Sequence, residues 1–300
     1  MFRPVLRLLP LFIASASVLC QNLVLTNDDG WAVAQIRAQN DALKDAGFNV
    51  VLSAPAENKS GTGSSTTTPT TLTEPCEFET CPTGSPPEGS EADDPRINYV
   101  NAFPVDAVRF GIQTLAPEFF GGPPEFVVSG PNVGIVEISG TVGAACEAAK
   151  EGIPSTAFSG ASTSQDSFTT LTTDPDSTDT IASLIYAQLT TTFTQAMLAS
   201  SARPILPANT TVNVNFPSVL NCGDADNYSF IFTRLVSDPS ATDVETCGTD
   251  HLPVETDVIN EGCFVTVSVI GANTKADVDA ETQGAVLNRI SSILSCLPSS

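Results

Sequence analysis

The segment LVLTNDDG, Leu23 to Gly30, constrains this chain more than any other. Three apolar residues, Leu23, Val24 and Leu25, lead toward two adjacent carboxylates, Asp28 and Asp29, and a glycine. A short apolar run closed by turn residues reads as a buried strand, central and parallel in its sheet. The stretch from Ala34 to Ala46 is helix-like, with Ile36, Ala38, Leu43 and Ala46 available for an inner face. The acid pair therefore falls at the carboxyl end of a first strand, where open α/β sheets gather their ligands. Adjacent carboxylates repel unless a cation or a basic side chain holds them, and no Lys or Arg follows before Arg37. The pattern points to a hard divalent cation, Mg²⁺ or Mn²⁺. An ordinary Asp-Gly turn is the plain alternative.

The rest of the chain continues the α/β alternation. Phe48 to Ser53 is a second apolar strand, which completes a βαβ unit. From Ser60 to Pro95 the composition collapses into Ser, Thr, Pro, Gly and Glu, which predicts a long surface excursion outside the core. Strand character returns at Ile97 to Phe103, and Pro104 opens a helix carrying Val105, Val108 and Ile112. Phe126 to Asn132 is a buried strand ending in polar residues, and Ser139 to Gly152 is a small-residue helix with a Ser/Thr entry. After a strand in IPSTAFSG, residues 161 to 180 read as polar linker and Thr180 to Ala199 as a helix. Strands are expected at Thr210 to Phe216, Tyr228 to Arg234 and Cys263 to Ile270, and an amphipathic helix from Asp279 to Cys296.

Arg3 and Arg7 precede an apolar stretch from Leu8 to Leu19, with small residues at Ala14 to Ser17. This is the layout of a signal peptide over residues 1–20, cleaved after Ser17 or Cys20, and it predicts a secreted protein. Eight cysteines suit an oxidising route. Cys76 and Cys81 form the readiest pair, and Cys146 reads as a buried free thiol. Cys222, Cys247, Cys263 and Cys296 allow three pairings, among which the sequence does not choose. A net charge of −22 argues against nucleic-acid duplexes and anionic membranes as partners. The single histidine, His251, leaves little from which to build a His-rich zinc site or a Ser-His-Asp triad, and no GxxxxGK[ST] loop is present. Sequons begin at Asn58, Asn209 and Asn227, and sugar is expected on the last two. Trp31 could stack on a nucleobase or serve as a packed lid.

Three strand ends converge: Asp28 with Asp29, Asn58 to Ser60, and Ser129 to Asn132, joined by the helix entry Ser139 to Thr141. Two Asp, a Ser hydroxyl and an Asn carbonyl make a partial oxygen shell for Mg²⁺ or Mn²⁺. A helix N-terminus with free N–H groups suits a phosphate.

The motifs LTNDDG, APAENKSG, NAFPVDAV, VVSGPN and SGTVGAA, in this order and at comparable spacing, resemble the survival protein SurE family. The resemblance implies an α/β fold: a Rossmann-like three-layer αβα sandwich with an appended β-hairpin and a C-terminal extension. It also implies a homodimer or tetramer acting on small phosphorylated substrates, namely nucleoside monophosphates or other phosphomonoesters. Asp28, Asp29, Ser60 and Asn132 are the implied metal ligands, with Asp28 and Asp29 catalytic. Asn58, Ser139, Gly140 and Thr141 are the implied phosphate-binding residues. Three departures stand out, one being GWAVAQI in place of the family's usual GVxAPGI turn. Ala56 replaces the family's acid after AP, and Asn132 lies only seven positions before Ser139, so the segment between those motifs is short. The contraction supports a rival reading, a catalytically weakened or inactive secreted relative that binds without turnover.

Overall fold

The computed structural model describes residues 20–135, 139–162 and 164–298; the predicted leader, apart from Cys20, lies outside them. In chain order the elements begin with β1 (Asn22–Thr26), α1 (Ala34–Asp45), β2 (Asn49–Pro55), β3 (Glu88–Ser90) and β4 (Ile97–Val100). There follow α2 (Pro104–Phe110), continued through a π turn into α3 (Ala116–Phe120), then β5 (Phe126–Val133), α4 (Gly140–Lys150) and β6 (Ser155–Gly160). The second half holds α5 (Thr170–Thr173), α6 (Thr178–Leu198), β7 (Thr210–Phe216), β8 (Ser229–Thr233), α7 (Glu255–Val258), β9 (Phe264–Gly271), α8 (Ala280–Ile290) and β10 (Leu294–Ser295).

All ten strands form one sheet in the order β10-β8-β9-β7-β6-β5-β1-β2-β4-β3. From β7 through β4 the strands run parallel, with β1 flanked by β2 and β5. The antiparallel β3–β4 pair is the hairpin at one edge. At the other edge β9 pairs antiparallel with β7, and β8 and β10 extend it in parallel, which is the C-terminal extension.

Strand alternation sorts the core into two layers. Leu23 and Leu25 of β1 join Ile36 and Leu43 of α1 and Tyr186, Phe193 and Met197 of α6 on one face. Val24, Val51 and Val127 meet Val108, Ile112, Ala144 and Ala148 of the opposite helices. Each such side chain, fully buried, contributes about 1.5–3 kcal/mol relative to exposure. The apolar run of β1 is thus buried on both faces, as a central parallel strand requires.

Three expectations are corrected. The inner face expected for α1 is too narrow: Gln35, Arg37, Gln39 and Asn40 are buried as well, because α6 packs alongside at Gln39, the loop at Ser164 takes Gln35, and Glu91 and Phe168 cover Arg37. The excursion from Ser60 to Pro95 is not wholly outside the core, since Leu72, Cys76 and Cys81 belong to the larger apolar cluster. A backbone carbonyl of the same excursion, that of Gly63, approaches α4 so closely that a Cβ on Gly143 would lie 1.9 Å from it. The final helix stops at Ile290 and not at Cys296. Leu294 and Ser295 instead pair with Phe230 and Ile231, and Cys296 is bridged to Cys247. The other bridges are Cys76–Cys81 and Cys222–Cys263, while Cys146 is a buried free thiol as expected.

Candidate active site

Asp28 and Asp29 lie in the turn that leaves β1. Asn27 closes that turn: its amide donates to the Gly30 carbonyl at 2.9 Å and accepts from the Gly30 N–H at 3.2 Å. Gly30 holds φ +124°, and a Cβ there would strike the Glu77 carboxyl at 2.2 Å, so only glycine fits.

Both Asp28 oxygens are directed onto the start of α4. Oδ2 accepts from the Gly140 N–H at 2.8 Å and Oδ1 from the Thr141 hydroxyl at 2.6 Å. Gly140 permits this approach, since a Cβ on it would meet the Asp28 side chain at 2.8 Å. A carboxylate at a helix N-terminus gains from the orphan N–H groups and the dipole. The donors that the sequence assigns to phosphate at Gly140 and Thr141 are therefore engaged by Asp28. Ser139 caps the helix as an acceptor from the Val142 N–H at 3.1 Å, which leaves its own hydroxyl proton available.

Asp29 faces the other way. Its Oδ2 accepts from the Val133 N–H at 2.8 Å, and its Oδ1 from Gln165 Nε2 at 2.9 Å and Ser60 Oγ at 3.3 Å. Asn58 supports this side: it donates to Gln165 Oε1 and accepts from the Ser60 N–H at 2.7 Å. Asn132 arrives by a register shift of β5 between Ser129 and Asn132. Gly130 makes the shift possible, with φ +110° and the Phe158 carbonyl 2.2 Å from where a Cβ would stand. The Asn132 amide donates to the Gly134 carbonyl at 2.5 Å, while its Oδ1 is buried without a hydrogen-bond partner.

Burial raises the Asp28 pKa, against the lowering effect of the Thr141 and Gly140 bonds. Asp29 is pushed up to about 7, first by burial and then by the charge of Asp28, with Val133, Gln165 and Ser60 opposing. Glu77, half-buried above the turn, is pushed up to about 8, chiefly by desolvation. Its Oε1 accepts from the Ala32 N–H at 2.6 Å. Arg37 is turned elsewhere, to Glu91 at 3.0 Å and to the Trp31 carbonyl at 2.7 Å. Among the described residues no basic side chain forms an ion pair with Asp28 or Asp29.

The donor set fits a hard divalent cation. Two buried carboxylates, the Ser60 hydroxyl and the orphaned Asn132 Oδ1 are all oxygen donors, the chemistry that Mg²⁺ and Mn²⁺ take. Among the described residues no group of three or more His, Cys, Asp or Glu is arranged as a metal site.

Two residues at this site have weak sequence signals. Gln165 sits in a stretch that reads only as polar linker. Glu77 lies inside the CEFETC staple, where the bracketing cysteines mark a fixed turn without showing its direction. Trp31 is packed and not open to a base: it stands edge-on to Tyr99 at 5.1 Å and is 3% exposed.

Comparison with known proteins gives the family. The sequence model of the family described as Survival protein SurE matches residues 23–240. An acid phosphatase of Yarrowia lipolytica is 34% identical over 89% of this chain and 84% of its own length. A 5'-nucleotidase SurE of Desulfovibrio desulfuricans is 35% identical over 46% of this chain, and the match spans about half (49%) of that relative. The crystal structure of the SurE protein from Aquifex aeolicus superposes with a TM-score of 0.57 at 23% identity, over 89% of this chain and 98% of that one, and shares the fold. The chain belongs to the survival protein SurE family.

Proposed function

We propose that this chain is a divalent-metal-dependent phosphomonoester hydrolase working at Asp28, Asp29, Ser60 and Asn132, on nucleoside monophosphates or other small phosphomonoesters. The observation that carries the reading is the buried acid pair, bonded to donors on every side yet without a basic partner. Mg²⁺ or Mn²⁺ bound there would polarise the phosphoryl oxygens and lower the pKa of a water. The Gly140 N–H and the Thr141 hydroxyl fix the orientation of Asp28, and Gln165 with Ser60 fixes Asp29. Asp28 and Asp29 are the carboxylates placed to receive the proton of the attacking water. The Ser139 hydroxyl, at the positive end of α4, donates to a phosphoryl oxygen. Asn58 holds Gln165 in place and so acts through Asp29.

The same reading places the protein outside the cell. Three disulfides support an oxidising compartment, and Asn209 and Asn227 are exposed for sugar. Asn58 is exposed too, but sugar there would stand over the acid pair, since its amide bonds Gln165 beside Asp29. Among the described residues no helix is long and apolar enough to cross a membrane. The working assembly is a homodimer or tetramer, as the family resemblance implies.

The test is hydrolysis of p-nitrophenyl phosphate and 5'-AMP with Mg²⁺, with Mn²⁺ and with EDTA, beside Asp28→Asn. Metal-dependent turnover lost in the variant is the expected result. A folded, metal-binding protein without turnover would overturn the enzyme reading and leave the binding protein that the short Asn132–Ser139 segment suggests.

A further inference from the structure

Of the four side chains assigned to the cation, three are set by the sheet: Asp28, Asp29 and Asn132 are buried at strand ends. Ser60 alone stands on an exposed segment. The stretch that follows it, GTGSSTTTPT from Gly61 to Thr70, forms no helix or strand and carries no large apolar side chain; Leu72 is the first to enter the core. A polar segment of this kind is ordered only where specific contacts offset its conformational entropy. Three contacts hold it. At the near end the Lys59 N–H donates to the Asp28 carbonyl at 2.7 Å. In the middle the Gly63 carbonyl is pressed against α4, so closely that only a glycine at position 143 admits it. At the far end a single carboxylate takes two groups of the segment: Asp106 accepts from the Thr66 hydroxyl and, at 2.9 Å, from the Thr67 N–H.

Asp106 is itself firmly placed. It lies in the first turn of α2, 9% exposed, where it also accepts from the Phe103 N–H at 3.2 Å. Arg109, one turn on, donates to the Thr66 hydroxyl oxygen at 3.3 Å and is anchored to Glu147 of α4 at 2.6 Å. The start of α2 is seated beside the acid turn: Pro104 Cγ lies 2.9 Å from where a Cβ on Gly140 would stand, and the Gly140 N–H is the one that bonds Asp28. Residues 59–67 therefore form a strap, tied to Asp28 at one end and to α2 at the other. The Ser60 hydroxyl, 3.3 Å from Asp29 Oδ1, hangs on that strap. The Lys59 bond fixes a point on it, and the hold at Asp106 fixes the direction in which it runs.

We infer that Asp106 is a positioning residue for the metal centre: by buckling the strap onto α2 it holds the Ser60 hydroxyl against Asp29 and so tightens the grip on the cation. The inference rests on the reading of Asp28, Asp29, Ser60 and Asn132 as the ligands of Mg²⁺ or Mn²⁺. Groups that orient a ligand without touching the metal set affinity by about 10–100-fold. Because Asp106 acts through one neutral hydroxyl, its effect has a ceiling, the loss caused by removing that hydroxyl. A residue that only stabilised the fold would have no such ceiling.

The experiment takes two readings on the full mature chain. Titration calorimetry with Mn²⁺ gives metal affinity, and amide hydrogen exchange in EDTA reads the order of the strap at the Lys59 N–H with no metal present. Asp106→Ala removes the buckle. Thr66→Val weakens it from the strap side and spares the start of α2, should the first variant fold poorly. Asp106→Asn is the rescue: its amide oxygen still accepts from the Thr67 and Phe103 N–H groups, and its NH₂ donates to the Thr66 oxygen. In Asp106→Ala, Lys59 exchange should quicken about tenfold and Mn²⁺ should bind about tenfold more weakly. Thr66→Val should show smaller changes in the same direction, and Asp106→Asn should stay within about twofold of the unsubstituted chain on both readings. Placed on Ser60→Ala, Asp106→Ala should add no further loss of affinity, because both act through one hydroxyl. Unchanged exchange or unchanged affinity in both Asp106→Ala and Thr66→Val, or losses that multiply with Ser60→Ala, overturns the inference. An unsubstituted chain that binds no Mn²⁺ overturns the metal reading and the positioning role with it, whereas intact binding with unchanged variants overturns the positioning role alone.

Discussion

Two buried acid clusters in this molecule are built in opposite ways. Near the end of β8, Asp243 accepts from Arg234 at 3.1 and 3.2 Å, from the Leu252 N–H at 2.9 Å and from Gln283 at 2.8 Å. Asp277 adds a second carboxylate 3.7 Å from the same guanidinium and accepts from the Leu235 N–H at 2.7 Å. That cluster carries its own cation, and it ties a loop and α8 to the edge of the sheet. At Asp28 and Asp29 the donors are neutral, the carboxylates are adjacent, and the Asn132 oxygen has no partner. A buried acid with its counter-charge built in is a closed structural joint. A buried acid pair without one retains an unmet demand for positive charge, and that demand marks it as the candidate site.

The comparison breaks first at the largest effect. Asp28→Asn should lower kcat/KM for p-nitrophenyl phosphate by three to four orders of magnitude, about 4–5.5 kcal/mol, while leaving the thermal midpoint in EDTA unchanged or higher. Asp243→Ala should do the reverse. It leaves buried Arg234 with Asp277, at 3.7 Å, as its remaining counter-charge and should cost about 3 kcal/mol in urea unfolding. If Asp28→Asn unfolds the protein while Asp243→Ala does not, the assignment of site and joint is inverted.

Metal sharpens the contrast. Mg²⁺ or Mn²⁺ at a hundredfold over Kd should stabilise the chain by about 2.7 kcal/mol in a thermal melt, reversibly with EDTA. Asp29→Asn should abolish the shift, and Asp243→Asn should retain it.

Glu255 is a third case, half-buried beside neutral donors, and gives the smallest effect. Burial pushes its pKa up to about 7, with Asp277 adding and Ser268 and Asn213 opposing. Below the ordinary glutamate pKa both states hold the proton. Between that value and about 7 the unfolded chain releases it first, so stability falls as pH rises and levels off above 7. Discounted for residual exposure, the loss is on the order of 2 kcal/mol. Glu255→Gln should flatten that part of the pH profile of urea unfolding; an unchanged slope would assign it to other groups.

The comparison also explains what could be read from residue order. Asp28 with Asp29, the Ser139 entry and the boundaries of β7 were legible because each is a local pattern: apolar run into turn, cap before helix, alternation within a strand. Gln165 and Glu77 were not, because each reaches the acid turn through tertiary folding of a polar segment with no periodicity. The polar burial of α1 was hidden for the same reason, since Gln35 and Gln39 look solvated until the loop at Ser164 and α6 pack against them. The C-terminal helix was overextended because Ile293 keeps helical spacing with Ile290, and nothing in that spacing reveals that Cys296 is tied to Cys247.

The Cys76–Cys81 bridge spans only five positions, against 41 and 49 for the other two. In the chain-entropy picture a loop that short stabilises by about 2 kcal/mol, roughly half of what either long one does. Its consequence is local. Glu77 follows directly on Cys76, its N–H donates to the Ala56 carbonyl at 3.1 Å, and its carboxyl group caps the strand exit where the family's own acid is missing. The finishing of the acid turn is therefore coupled to oxidation: the Cys76–Cys81 bond is the covalent pin that holds Glu77 over Gly30.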